Sequence, residues 1–93
     1  MTTTAITHDE NLMRYSHFEN GLEAYLTYER PGTGHRHITH TIVPGALGGK
    51  GLGKRLVKAV MDDIIAAGET VSSSCWFATA LIEKTPEWAA LRV

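Results

Sequence analysis

The chain changes its hydrophobic period once, and the change falls across a run of glycines. Upstream, "LEAYLTYER" (Leu22–Arg30) sets Leu22, Ala24, Leu26 and Tyr28 against Glu23, Tyr25, Thr27 and Glu29. A period of two marks a strand with one buried face. Downstream, from Gly51 to Ala67, Leu52, Leu56, Val57, Val60, Ile64 and Ile65 recur close to every 3.6 residues, with Lys54, Lys58, Asp62 and Asp63 mainly off that stripe. That is an amphipathic helix of about 25 Å, long enough to cover one face of a small sheet. Between them, "GALGGKGLGKRLV" (Gly45–Val57) holds glycines at 45, 48, 49, 51 and 53. A sheet must therefore deliver the chain through a loop with almost no side-chain bulk directly into a helix.

The remaining segments extend this pattern. "NLMRYSHF" (Asn11–Phe18) reads as a first strand, closed by the turn "ENG". "PGTG" (Pro31–Gly34) is the next turn. "HRHITHTIV" (His35–Val43) follows as a third strand, with Ile38, His40 and Ile42 expected on the packed side and His37, Thr39 and Thr41 opposite. Gly68 is a helix stop, "ETVSSS" (Glu69–Ser74) is a further strand, and "CWFATALIEK" (Cys75–Lys84) a second helix. Thr85 and Pro86 suit the N-cap and first position of a last helical turn. The predicted order is βββαβα: an α/β chain of the α+β type, a three-strand antiparallel meander followed by α-β-α, with helices packed on a mixed sheet. Residues 1–10 are polar and expected to be loosely held, leaving a single domain over residues 11–93.

Composition narrows the function classes. Ninety-three residues suffice for one small domain with a modest core. A formal net charge of -1 argues against broad attraction to nucleic acid or anionic membrane, so anion binding must be local. No apolar run is long enough to span a bilayer, and "MTTTAITHDENLM" lacks the layout of a secretory signal. The single cysteine, Cys75, excludes an internal disulfide and fits a reducing, cytoplasmic setting.

The glycine loop itself points to a phosphate-bearing ligand. Residues without Cβ let backbone N–H groups approach closely, a helix N-terminus adds partial positive charge, and Lys50, Lys54 and Arg55 stand beside them. From Gly48 the frame matches a Walker A loop until Arg55 replaces the hydroxyl residue that binds magnesium. "GKGLGK" also lacks the third glycine of the dinucleotide fingerprint. A nucleoside-triphosphate or dinucleotide site is thus the poorer reading of the cradle.

The stretch "IVPGALGGKGLGKRLVKAVMDDIIAAG" resembles the acyl-CoA motif of the GNAT acetyltransferase superfamily, a strand running into Arg/Gln-x-x-Gly-x-Gly/Ala and then a helix. Gly51 and Gly53 match its glycines; Gly48 stands where Arg or Gln is usual, which removes a side-chain contact but no backbone donor. In particular the chain is similar to the very short, single-domain members. Their pieces stand here in order: His40-Thr41-Ile42-Val43-Pro44, Gly49-Lys50-Gly51, Cys75-Trp76-Phe77 and Pro86-Glu87-Trp88. The resemblance covers about residues 12 to 91. It implies an acetyl-CoA-dependent N-acetyltransferase acting on an amine, with acetyl-CoA as co-substrate. Backbone at Ile42 and Val43 would pair with the pantetheine arm, and Gly48, Gly49, Lys50, Gly51, Leu52, Gly53 and Lys54 would hold the pyrophosphate.

Two residues are candidates for the chemistry. Cys75 follows three serines, with Ser74 or Ser73 as expected cap, and a thiol at a helix N-terminus is biased toward the reactive thiolate; the resemblance also makes it the active-site candidate. It would act as nucleophile or lie beside the acetyl group; packing beside Trp76 is the alternative. His40, on the expected packed side, would serve as base or orienting group. His35 and His37 share a strand face, but nothing nearby completes a metal set, so no metal is expected. Trp76, Phe77 and Trp88 fall at core-packing spacings. A small-molecule or protein amine fits as partner, without nucleic acid or membrane, and the open sheet edge admits a homodimer. A non-catalytic CoA-binding or partner-binding module is the alternative from another class, and a small phosphate or nucleotide binder follows from the loop alone.

Overall fold

The computed structural model describes residues 5–93. Five strands form one sheet in sequence order: β1 (Thr7–Asp9), β2 (Arg14–Glu19), β3 (Leu22–Gly32), β4 (His35–Ile42) and β5 (Thr70–Ser73). All neighbours are antiparallel except β4 and β5, which run parallel. The parallel pair needs a crossover, and α1 (Leu52–Ala67) supplies it. Helices α2 (Trp76–Lys84) and α3 (Pro86–Ala89) complete the chain, and a single 3-10 turn spans Gly45–Leu47. The expected βββαβα order stands, with one strand added in front. β1 falls inside the segment expected to be loose; residues 1–4 of that segment lie outside the described residues.

The local chemistry behind each element is recoverable. Asn20 and Gly21, both at positive φ, form the tight turn between β2 and β3. On β3, Ala24, Leu26 and Tyr28 are buried as the alternation requires. α1 lays Leu52, Leu56, Val57, Val60, Met61 and Ile64 onto that face. Met61 is buried, whereas Ile65, expected in the stripe, is half exposed. Thr85 is the N-cap of α3 and Pro86 follows it at the start, although the Thr85 hydroxyl donates back to Leu81 O. β1 carries no apolar stripe; His8 holds it, stacked on the Tyr15 ring at 4.0 Å and bonded to the Tyr28 hydroxyl at 2.7 Å. Behind Tyr15, the buried Arg36 bonds the Tyr15 hydroxyl at 2.8 Å and Glu69 at 2.7 Å, so its charge is paired inside the core.

β4 departs from its expected facing. Thr27 pairs with His40 but the next residue, Tyr28, pairs with Ile38, so Thr39 is one residue too many. This β-bulge is held by the Thr39 hydroxyl, which meets the Thr27 hydroxyl at 2.6 Å and the Thr27 carbonyl at 3.1 Å. Beyond it the faces exchange. Ile38 is buried, but His40 and Ile42 are exposed on the outer face, opposite Thr27 and Tyr25. Thr41, expected outside, turns to the helix side. The same residues mark where β4 and β5 part: the last pair is Ile38 with Ser73, followed by a bond from the Ser74 N–H to Ile38 O, while β4 continues to Ile42 with β3 alone.

Candidate functional site

The glycine loop delivers a row of free donors. Gly49 and Gly51 sit at φ 79° and 75°, a left-handed backbone that other residues rarely adopt. Gly51 is the N-cap of α1, and the first helical bond runs from the Arg55 N–H to Gly51 O. Among the described residues, the N–H groups of residues 49 to 54 therefore meet no backbone or side-chain acceptor. No side chain caps α1 and no acidic residue stands in its first turn, so the partial positive charge of the helix end is unopposed. Gly48 differs: its N–H is bonded to Gly45 O at 3.0 Å, closing the 3-10 turn. Lys54 lines the cavity at this loop. Lys50 instead turns away to form an ion pair with Glu19, whose other carboxylate oxygen lies 3.0 Å from His17 Nε2. Lys50 and His17 together hold the Glu19 carboxyl below its usual range, and Glu19, with the Ala5 carbonyl, raises the affinity of His17 for a proton.

Two cavities meet along α1. One, of about 330 Å³, is lined by Val43, Leu47, the loop glycines and Phe77. The other, of about 220 Å³, opens where β4 parts from β5 and is lined by Thr41, Val43, Gly53, Cys75, Trp76 and Phe77. Val43, Gly53 and Phe77 line both, making one track from the open amides to the cysteine. Gly53 sets its width: a Cβ there would stand 2.8 Å from two ring carbons of Phe77.

Cys75 is itself the N-cap of α2, with its carbonyl accepting from the Thr79 N–H at 2.9 Å. Neither serine caps the helix. Ser73 instead clamps Cys75, accepting from its N–H at 3.1 Å and donating to its carbonyl at 3.0 Å. The thiol points at the Thr41 hydroxyl, 3.6 Å away. Thr41 is a residue that sequence reasoning missed, because only the bulge turns it inward. Trp76, whose spacing predicts a core position, is 81% exposed at the rim of the cavity, with its ring perpendicular to that of Phe77 and the centroids 6.0 Å apart. Phe77 and Trp88 do pack against the core.

The other histidines do not converge here. His40 stands on the outer face, and the sheet separates it from Cys75. The ring nitrogens of His35 bond the hydroxyls of Thr70 and Ser72, and those of His37 bond Ser72 and Ser74. Among the described residues no group of three metal-ligating side chains assembles. No described helix is long and apolar enough to cross a membrane.

The chain is similar in sequence and in fold to known proteins. The family model for GCN5-related N-acetyl-transferases matches residues 14–91. Protein NATD1 of Xenopus tropicalis is 31% identical over 83 residues, covering 87% of this chain and 76% of that one. NATD1 of Danio rerio is 30% identical over 91% of this chain and 79% of its own. A GCN5-like protein of Staphylococcus aureus, solved by NMR, superimposes with a TM-score of 0.76 at 29% identity, covering 100% of this chain and 91% of that one. The chain belongs to the GCN5-related N-acetyltransferase family.

Proposed function

We propose that this protein binds acetyl-CoA and transfers its acetyl group to an amine. The observation that carries the reading is the row of acceptor-free amides at residues 49–54, joined by one track to the cavity at Cys75. A hydrogen bond from backbone to a charged oxygen contributes about 1.5–3 kcal/mol, so a few of these amides on one diphosphate outweigh an exposed lysine pair worth about 0–1 kcal/mol. Backbone thus dominates, with Lys54 adding charge at the rim. Among the described residues, the edge of β4 facing β5 has no strand beside it beyond Ile38, and an extended pantetheine arm there would pair with the backbone of Ile42 and Val43 as an added strand does.

When bound, acetyl-CoA supplies a thioester: the amine nitrogen bonds the carbonyl carbon, the C–S bond breaks, and the nitrogen's proton leaves to the released sulfur. Phe77, Val43 and Gly53 confine the reacting end, which contributes by positioning. Thr41 holds the thiol hydrogen of Cys75, leaving the sulfur beside the place the carbonyl would occupy. Cys75 acts as a neighbour that steers proton movement, and the transfer is direct.

Calorimetry with acetyl-CoA, CoA, ATP and NAD tests the reading. Both CoA species bind and the others do not; binding of ATP in preference to CoA refutes it. Intact mass after incubation with acetyl-CoA stays unchanged, and a Cys75→Ala variant keeps its acetyl-CoA affinity within about threefold while turning over at least about tenfold more slowly. A gain of one acetyl group on Cys75 that chases onto amine overturns direct transfer.

A further inference from the structure

We propose that Trp76 is the acceptor platform of this site, and that the acceptor is an amine carried on a flat aromatic group that stacks on the exposed indole while its nitrogen enters the cavity beside Cys75. The inference rests on the acetyltransferase reading and adds the class of acceptor to it.

Three observations carry it. First, the cavity at Cys75 is about 220 Å³, below the roughly 300–1,000 Å³ of pockets that enclose a drug-sized ligand. It has room for the reacting groups, and the body of the acceptor must remain outside. Second, what stands outside is Trp76, 81% exposed although it is the largest side-chain type. Its ring stands perpendicular to that of Phe77, at 89° with centroids 6.0 Å apart, and most of the indole is open to solvent. A large aromatic side chain held at the mouth of a cavity offers contact area that an acceptor ring can cover at little entropic cost. Third, the six residues lining this cavity carry no carboxylate. A polyamine brings further ammonium groups to the mouth of the cavity, where the rim residue Trp76 supplies no carboxylate to pair them. An aromatic amine has no such second charge.

The test uses the full chain with 2-phenylethylamine, 2-cyclohexylethylamine and spermidine as acceptors, together with acetyl-CoA calorimetry. Ring stacking beyond area burial predicts that the wild type prefers phenyl over the equally bulky cyclohexyl by about fivefold in kcat/KM, through KM, with spermidine poorest. Trp76→Ala brings the phenyl-to-cyclohexyl ratio to about one, and Trp76→Phe restores part of it. Because Trp76 is exposed, thermal unfolding of both variants confirms that they fold. Acetyl-CoA binding with a phenyl-to-cyclohexyl ratio of one in the wild type, a ratio unchanged in Trp76→Ala, or a preference for spermidine overturns this inference alone. Failure of the wild type to bind acetyl-CoA overturns the acetyltransferase reading, and this one with it.

Discussion

Replacing Gly53 by alanine separates what the helix needs from what the ligand track needs. The residue lies in the first turn of α1, buried, with its backbone outside the left-handed region, so the helix itself would accept alanine. Intrinsic propensity alone favours the change by about 1 kcal/mol. The new Cβ would stand 2.8 Å from Cε2 and Cζ of Phe77, where ordinary contact begins at 3.4 Å. The ring must retreat by about 0.6 Å, the difference between those distances. Such overpacking costs about 1–3 kcal/mol, so the gain in propensity offsets part of it and leaves about 0–2 kcal/mol of lost stability. Binding does not enjoy the same compensation. Gly53 and Phe77 line both cavities, and the methyl group and displaced ring narrow the track at its waist. Acetyl-CoA affinity by calorimetry should fall at least tenfold, about 1.4 kcal/mol. Gly53→Ala combined with Phe77→Leu, which removes both offending carbons, should return it to within about threefold. Binding by Gly53→Ala within twofold of wild type would refute the reasoning, as would a double variant as weak as the single one.

Three further outcomes follow from other parts of the molecule. Glu19→Gln releases Lys50 and removes an anion beside the loop, so acetyl-CoA binds about two- to fivefold tighter at low salt and the gain fades as salt screens it; equal affinity at low salt counts against it. Because the folded state raises the proton affinity of His17 above its ordinary value of 6.5, the stabilisation is complete below that pH and is lost as pH climbs through the raised value. Wild type should therefore lose more unfolding midpoint between about pH 6 and pH 8 than His17→Gln, and parallel curves would contradict this. Tyr15→Phe deletes the hydroxyl that accepts from buried Arg36 and donates to Asp63, costing about 1–3 kcal/mol and lowering the midpoint by roughly 5–15 °C; a midpoint within 2 °C of wild type would mean the pair is worth little.

How much of this could be read from the chain depends on whether burial was one-sided. β3 and α1 were legible because one sheet face and one helix stripe are buried, and the residues say so directly: Ala24, Leu26 and Tyr28 on one, Leu52, Leu56, Val60 and Ile64 on the other. The glycine cradle was legible because its chemistry is backbone, and only residues without Cβ permit it. β1 was hidden, since Thr7, His8 and Asp9 show no apolar period and are placed by partners distant in sequence such as Tyr15 and Tyr28. The facing of His40 failed for a sharper reason. A bulge adds one residue without any local signature, and threonines at both 39 and 41 made either frame look equally sound. Trp76 was misplaced because its apolar mass suggests a core, whereas its position at the first turn of α2 puts it at a rim.

The extra residue at Thr39 makes β4 modular. Up to Ile38, substitutions answer to the packed interior; from Thr41 onward they answer to whatever occupies the track. The two halves can thus drift independently, so that the lining around Cys75 is retunable without redesigning the hydrophobic layer. Straightening the bulge, with Thr39 drawn into the ladder opposite Thr27, would couple them again: Thr41 would swing out, and His40 would stand opposite Leu26 where the thiol now finds its hydroxyl.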